Sequence, residues 1–284
     1  MESLRILAVA LASALLLPLP LEAQEDPSYA ATKGMDERFR LDVGGFFQKF
    51  DTTIRYDSAT GLPGTEVSLE DVLGSPSSQT NFRVDGYWRF GRHGRVDFAY
   101  RSSNRTSAAV LAQTVRFGDQ TYNAGGRVDT EIRVRVGELY YSYSFVNSGE
   151  AELGLQLGIS AYFNKLSISA SGTIVGPGGP VSGSVAEESR NAIAPLPAIG
   201  GYFRYTLLPQ FFVWGKAKGM KATISGDSGS IVDLSAGLDL YVTKNIGLGG
   251  GYEYVKITYS NSETKQLSLN YRYSGPMAYL TIAF

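Results

Sequence analysis

The sequence has no cysteine and a single histidine, His93. The first absence excludes disulfides, thiolate metal sites, cysteine nucleophiles and the lipidated cysteine of a lipoprotein. The second leaves one imidazole for any acid–base chemistry near neutral pH. Neither sign of charge is in excess: 26 Lys and Arg stand against 27 Asp and Glu, so the basic balance expected of a nucleic-acid partner is missing. Long apolar runs are missing too. Beyond residue 35 nothing approaches the ~18 consecutive apolar residues of a membrane-spanning helix. Near-neutral overall hydropathy excludes a helical multispanning protein but not a β-barrel, in which only alternate residues face lipid. What the chain has in quantity is 33 Gly, 18 Tyr and 14 Phe, a composition suited to a sheet exported without disulfides.

The N-terminus reads as a targeting segment. Arg5 supplies a weak basic region, Ile6 to Leu17 an apolar core, and Pro18 and Pro20 end the helix. Leu21-Glu22-Ala23 then places a small residue before a cut at Gln24. A retained anchor is the competing reading, but about a dozen apolar residues fall short of the ~20 needed to span a bilayer as a helix. The expected organisation is a signal peptide over 1–23, a short polar lead-in over 24–35 and a single domain over 36–284.

Within that domain the dominant signal is alternation. Leu153, Leu155, Leu157, Ile159, Ala161 and Phe163 fall on one face, with Gly154, Gln156, Gly158, Ser160 and Tyr162 on the other. Val232, Leu234, Ala236, Leu238, Leu240 and Val242 repeat the pattern against Asp233, Ser235, Gly237, Asp239, Tyr241 and Thr243. Period two means strand, and runs this long match the ~9–11 residues of a tilted membrane-crossing strand better than the ~5–6 of a soluble one. Strands are expected near 38–57, 80–91, 95–107, 131–146, 151–169, 192–207, 210–225, 230–243, 246–260 and 267–284. The fold class is therefore all-β, an antiparallel up-and-down transmembrane barrel of about ten strands. Eight or twelve stay open because 108–130 can hide a hairpin and because Pro276 sits inside the last run, where a proline favours an edge or bulge.

Connections alternate in length. Short ones fall at Gly91 to Gly94, Asn147 to Glu150, Leu208-Pro209 and Thr243 to Asn245, while long ones rich in Ser, Gly and Pro cover 58–79, 108–130 and 170–191. This is the asymmetry of outer-membrane barrels, with periplasmic turns and extracellular loops. Trp88, Phe90, Tyr141, Tyr143, Phe145, Phe203, Tyr205, Phe211 and Trp214 cluster around the short turns, as an interfacial aromatic girdle would.

The last segment, Met277 to Phe284, alternates and ends on Phe284. It resembles the closing strand of Gram-negative outer-membrane β-barrel proteins, and the resemblance implies that Phe284 serves as a signal to the outer-membrane assembly machinery. Thr52 to Arg55, Gly64-Thr65 and Leu69 to Gly74 further resemble a subgroup of such barrels from which no activity carries over. Val72 stands where that pattern has an aspartate, which sets aside a family-specific role for the acidic loop.

Placing the apolar face on lipid turns a set of charges inward: Arg83, Asp85, Arg89, Asp97, Arg101, Glu138, Arg204, Lys216, Lys218, Asp233, Asp239 and Glu253. On the lipid face each Arg or Lys would cost roughly 2–4 kcal/mol at mid-depth. Inside, such charges form either a plug of ion pairs filling a narrow lumen or a charged constriction selecting small solutes. The plug is the preferred reading, giving a structural or surface-interaction barrel. A narrow pore or small-solute transporter is the alternative, and a soluble lipocalin-like carrier, which would need an apolar interior, comes third.

Some small barrels are outer-membrane enzymes that use His with Ser, Glu or Asp at the outer rim. His93 lies in an expected periplasmic turn, the wrong end for outer-leaflet substrates, so no enzyme is expected. No cofactor or metal site is expected either. Glu66, Glu70 and Asp71 could bind divalent cations, but a solvated acidic loop is the simpler reading. Gly247 to Gly251 superficially resembles a phosphate loop, yet no helix follows it, and glycines that let Tyr252 or Tyr254 pack closely are the better account. The partners implied are outer-membrane lipid, lipopolysaccharide and the assembly machinery, with no nucleic acid; the oligomeric state is left open. The location implied is the cell outer membrane.

Overall fold

The computed structural model describes residues 37–58, 61–117, 119–176, 179–224, 227–261 and 267–284. The expected signal peptide and lead-in lie outside the described residues. Among the described residues thirteen strands run in chain order: β1 (Phe39–Tyr56), β2 (Val67–Ser68), β3 (Ser78–Arg89), β4 (Gly94–Val110), β5 (Val115–Phe117), β6 (Gln120–Tyr122), β7 (Arg127–Asn147), β8 (Ala151–Gly176), β9 (Gly179–Leu208), β10 (Phe211–Ile224), β11 (Asp227–Tyr241), β12 (Ile246–Asn261) and β13 (Leu267–Ala283). Ten of them pair antiparallel in a ring, β1-β3-β4-β7-β8-β9-β10-β11-β12-β13, and β13 returns to β1. The sheet closes. These ten are the ten expected strands, and 108–130 does hold a hairpin, β5 with β6.

Closure is what a bilayer demands, because no water is present there to satisfy an unpaired backbone group. Pro276, which lacks an N–H, is accommodated within β13 and faces outward. The β1–β13 ladder runs through Phe46↔Met277 and resumes at Lys49↔Ser274 in the same register. The proline interrupts the pairing without shifting it. Segment 170–191 departs from expectation: β8 runs to Gly176 and β9 begins at Gly179, so most of that Ser- and Gly-rich stretch is strand. The hairpin of 26 and 30 residues far exceeds the ~9–11 residues needed to cross a membrane.

The two faces separate as the alternation requires. Outward, Leu155, Leu157, Ile159, Leu234, Leu238, Leu240, Leu248 and Leu280 are all exposed to the surroundings. Inward, the alternate positions of the same strands are buried, with Glu152, Gln156, Ser160, Asp233, Asp239 and Glu253 among them. An apolar exterior around a polar, filled interior belongs to a membrane barrel rather than to a soluble one, and it contradicts the lipocalin-like alternative. Among the described residues no helix is long and apolar enough to cross a membrane; the chain crosses with strands, and its place is the cell outer membrane.

Trp88, Phe90, Tyr141, Tyr143, Phe145, Phe203 and Tyr205 form an exposed ring near the short turns. Trp88 and Tyr141 each meet Phe90 with ring centroids 6.0 Å apart. Trp214 does not belong to this girdle. It shares the parity of Lys216 and Lys218, and its indole Nε1 donates to Tyr279 Oη at 2.9 Å inside the barrel.

The depth dependence of a lipid-facing charge gives a first test. Leu157 sits mid-way along the apolar outward run from Leu153 to Phe163, whereas Leu208 lies at the short-turn end of β9, and both are 64 % exposed. Leu157→Arg is expected to destabilise the refolded barrel by roughly 2–4 kcal/mol, and Leu208→Arg by about 0–1 kcal/mol. Urea titration of the heat-modifiable band in vesicles measures both; equal losses would mean that the belt is misplaced.

Candidate functional site

Among the described residues, buried charged side chains gather in the interior of the barrel. Every strand of the ring crosses at an angle to the barrel axis, so inward residues distant in sequence meet in layers.

At the short-turn end, Glu37 precedes β1 and turns into the barrel. Its carboxylate accepts from Arg204 Nη1 at 2.9 Å, from Tyr87 Oη at 2.9 Å and from Tyr241 Oη. Beside it Arg40 bridges Asp42 and Asp239 at 2.9 and 2.8 Å. The Arg204 guanidinium lies over the Phe212 ring, 4.4 Å from its centroid, an arrangement that favours a desolvated cation. A neighbouring group collects around Glu152, which accepts from Arg89 at 2.8 Å, Arg95 at 3.1 Å and Ser144 Oγ at 2.6 Å. Arg95 lies between the rings of Tyr87 and Tyr202, 4.4 and 4.0 Å from their centroids. It also reaches Asp97, which takes a hydrogen bond from Ser142.

The middle layer is built around Arg101 of β4. Its guanidinium is 2.7 Å from Glu253, 3.7 Å from Glu138, and 3.9 Å from both Asp85 and Asp233. Arg83 closes one side by pairing with Asp85 and Glu253. Lys218 closes the other, 2.7 Å from Glu138 and 3.0 Å from Asp233. Strands β3, β4, β7, β10, β11 and β12 are thus tied across the lumen by one set of side chains. Lys216 lines a cavity of about 80 Å³ beside this layer, with Asp97, Gln156 and Tyr140. Asp97 Oδ1 and Gln156 Oε1 meet no donor among the described residues, and at ~10–15 Å³ per water the space is large enough for a few.

All twelve charges singled out from the sequence therefore point inward: eight sit in the layer around Arg101 and its margins, and Arg89, Asp97, Arg204 and Asp239 sit nearer the short turns. Sequence reasoning missed Glu37, Arg40, Asp42, Arg95 and Glu152, along with Arg105. The signal was available for most of them, since Arg95 and Arg105 share the parity of Asp97 and Arg101 in β4.

Above the charges lies an aromatic layer of Phe46, Phe50, Tyr271 and Tyr273, while Tyr279 lies lower, its Oη donating to Asp239 at 2.8 Å. Gly249 of β12 allows the Tyr279 ring to lie flat on the wall; a Cβ there would come within 2.0 Å of it. That ring, rather than Tyr252 or Tyr254, is what the glycine stretch receives. Higher still, the first long loop folds back into the mouth. Val67, Leu69 and Leu73 bury against Ile54, Leu111, Val115, Val128 and Ile132. Glu70 is not solvated as expected for the acidic loop: its carboxylate accepts from Arg105 at 2.6 Å and from the Thr52 amide at 2.8 Å. Asp71 stays exposed. The loop's acidic residues are divided between a buried anchor and the surface, and no cluster of metal-ligating side chains occurs among the described residues.

His93 sits at the short-turn end, its Nδ1 2.7 Å from the Ser144 carbonyl oxygen and its ring stacked on Tyr143. Phe284 packs at the same end, its amide donating to Phe39 O while its own carbonyl accepts from the Arg38 and Phe39 amides.

No family model matches the chain, and no curated protein matches it in sequence. Among solved structures it is similar to the outer-membrane protease OmpT of Escherichia coli, with a TM-score of 0.53, 12 % identity, and coverage of 87 % of this chain and 96 % of that one. At that identity the likeness concerns the fold alone. The toluene transporter TodX of P. putida (TM-score 0.35, 9 % identity, 90 % and 92 % coverage) and Ail, the attachment invasion locus protein of Yersinia pestis (0.31, 10 %, 86 % and 99 %), superpose too loosely to bear on this chain.

Removing the cation at the centre leaves four buried carboxylates to share Arg83 and Lys218. Arg101→Ala is expected to cost on the order of 3–5 kcal/mol, and Arg127→Ala, which breaks an exposed pair with Asp129, at most about 1 kcal/mol. Urea unfolding in detergent micelles reads both. A mild Arg101→Ala would show that water solvates the layer.

Proposed function

We propose that this chain is an outer-membrane barrel with a closed lumen that acts as a structural or surface-interaction element rather than as a conduit. The observation that carries this reading is the layer around Arg101, in which cations and carboxylates from six strands are engaged with one another across the lumen. In this reading all twelve inward charges contribute to the plug, and the loop carrying Glu70 covers it from outside. The external belt is embedded in outer-membrane lipid, with lipopolysaccharide against its outer half. The chain reaches the membrane as a precursor cut before Gln24, and Phe284 is read by the assembly machinery.

Catalysis is not part of this proposal. The one imidazole hydrogen-bonds a backbone carbonyl at the short-turn end, beyond reach of a substrate in the outer leaflet, and a general base must lie within hydrogen-bond distance of the proton it takes.

A narrow pore is the second reading, favoured by the small polar cavity beside Lys216. Single-channel recording in planar bilayers separates the two. The closed lumen predicts near-zero conductance for the wild type and equally for Lys216→Glu. Substantial wild-type conductance whose ion selectivity inverts in Lys216→Glu would overturn it in favour of the pore.

A further inference from the structure

The outward face of the barrel carries its own pattern of charge, confined to one height. On six strands the first charged residue beyond the apolar belt is a cation: Lys49 on β1, Arg135 on β7, Lys165 on β8, Lys221 on β10, Lys256 on β12 and Arg272 on β13. Counted from the outward residue nearest the short turns, each stands ten or twelve positions along its strand, as Lys256 does from Ile246 and Arg272 from Ile282. Ten residues of tilted strand rise about 25 Å, the height of the apolar band of such a barrel. These cations therefore mark the outer boundary of the hydrocarbon. Among the described residues no outward carboxylate comes before them; Asp51 and Glu131 lie farther out along the rows of Lys49 and Arg135.

Two of the rows set cations face to face. Arg133 stands opposite Lys165 across β7 and β8, and Lys256 opposite Arg272 across β12 and β13. Like charges so placed repel. The first pair is reconciled within the protein, because Glu131 engages Arg133 at 2.7 Å and Lys165 at 3.3 Å. The second is not. Asp51 pairs with Arg272 alone, and Lys256 engages no carboxylate among the described residues. Lys49, diagonal to Arg272 on β1 and opposite Ser274, engages none either.

Three cations against one carboxylate leave two positive charges on the wall formed by β12, β13 and β1, and all four side chains are exposed. Just beneath them Tyr252 Oη donates to Ser274 Oγ at 3.1 Å, so two hydroxyls stand between the cations and the belt. Cations at the edge of a bilayer attract anionic headgroups.

We propose that this wall binds a phosphate of the lipid anchor of lipopolysaccharide, held by Lys256, Arg272 and Lys49 at the outer edge of the belt. A phosphate monoester carries about 1.5–2 negative charges at neutral pH, which matches the excess on the wall, whereas the phosphodiester of an ordinary phospholipid carries one. The bound anion stands between Lys256 and Arg272 as Glu131 stands between Arg133 and Lys165. The site rests on the proposed setting of the outer half in lipopolysaccharide, and it does not depend on whether the lumen conducts.

The test inserts the full processed barrel into dioleoylphosphatidylcholine vesicles containing bis-phosphorylated lipid A, the same lipid A dephosphorylated, or dioleoylphosphatidylglycerol. Lipid retained through detergent extraction is read by native mass spectrometry. Bis-phosphorylated lipid A is expected to be retained tenfold or more over the other two. Lys49→Gln with Lys256→Gln and Arg272→Gln should lower that retention tenfold or more in a barrel that still shows heat-modifiable migration. Arg127→Gln, at the long-loop end of β7, should leave it unchanged. Equal retention of dephosphorylated lipid A or of phosphatidylglycerol, or a triple variant that retains lipid A like the wild type, would overturn the proposal. A chain that fails to insert into phosphatidylcholine alone would instead overturn the membrane reading beneath it.

Discussion

Backbone hydrogen bonding without water is the constraint on which the rest of this molecule depends. A strand in hydrocarbon must give its N–H and C=O groups to neighbours on both sides, and a sheet meets that demand everywhere only by closing on itself. From closure follow the return of β13 to β1, the strict division of each strand into two faces, and the narrow interior that inward residues have to fill. The same constraint reveals where the structure tolerates an exception. At Pro276 the ladder pauses and resumes in register, and the proline simply faces outward.

Filling the interior with charge rather than with leucine has a physical cost. Taking ions out of water is repaid only where geometry and hydrogen bonds are good, so buried pairs add little net stability compared with an apolar core. What they add is complementarity. Arg101 suits a lumen with four carboxylates at its distances, and the stacked rings around Arg95 and Arg204 accept a guanidinium better than an ammonium. The arrangement specifies which strands must face one another, and an apolar filling would leave that less constrained. An apolar interior would also compete with the lipid face for the outside, and alternate registers would become closer in energy.

Most of the fold was legible because period two is a strong local signal and charges cannot face lipid. Leu153 to Phe163 alone assigns both faces of β8, and the ten strands follow from similar runs. Legibility failed where a residue was read by its neighbourhood rather than its parity. Trp214 lies near a short turn and so resembled a girdle residue, yet Lys216 and Lys218 share its side of β10. The stretch 170–191 looked like a loop, since Gly, Ser and Pro suggest turns; pairing between β8 and β9 overrides that preference. The fate of Glu70 was beyond local reasoning altogether. Its partner Arg105 lies 35 residues away, and only the folding of the loop into the mouth brings them together.

The span of the interior contacts bears on how the molecule forms and how long it lasts. Arg40 meets Asp239 across 199 residues and Arg83 meets Glu253 across 170. Contacts so remote in sequence form late and slowly, because nearly the whole chain must be in place before either exists. Until then the charges have to stay hydrated within an unfinished barrel, which slows insertion. The reverse journey meets the same obstacle. Opening the wall exposes a set of mutually engaged ions to a medium that cannot solvate them, so the barrier to unfolding is high relative to the equilibrium stability. Such a barrel owes its persistence to a slow rate of escape.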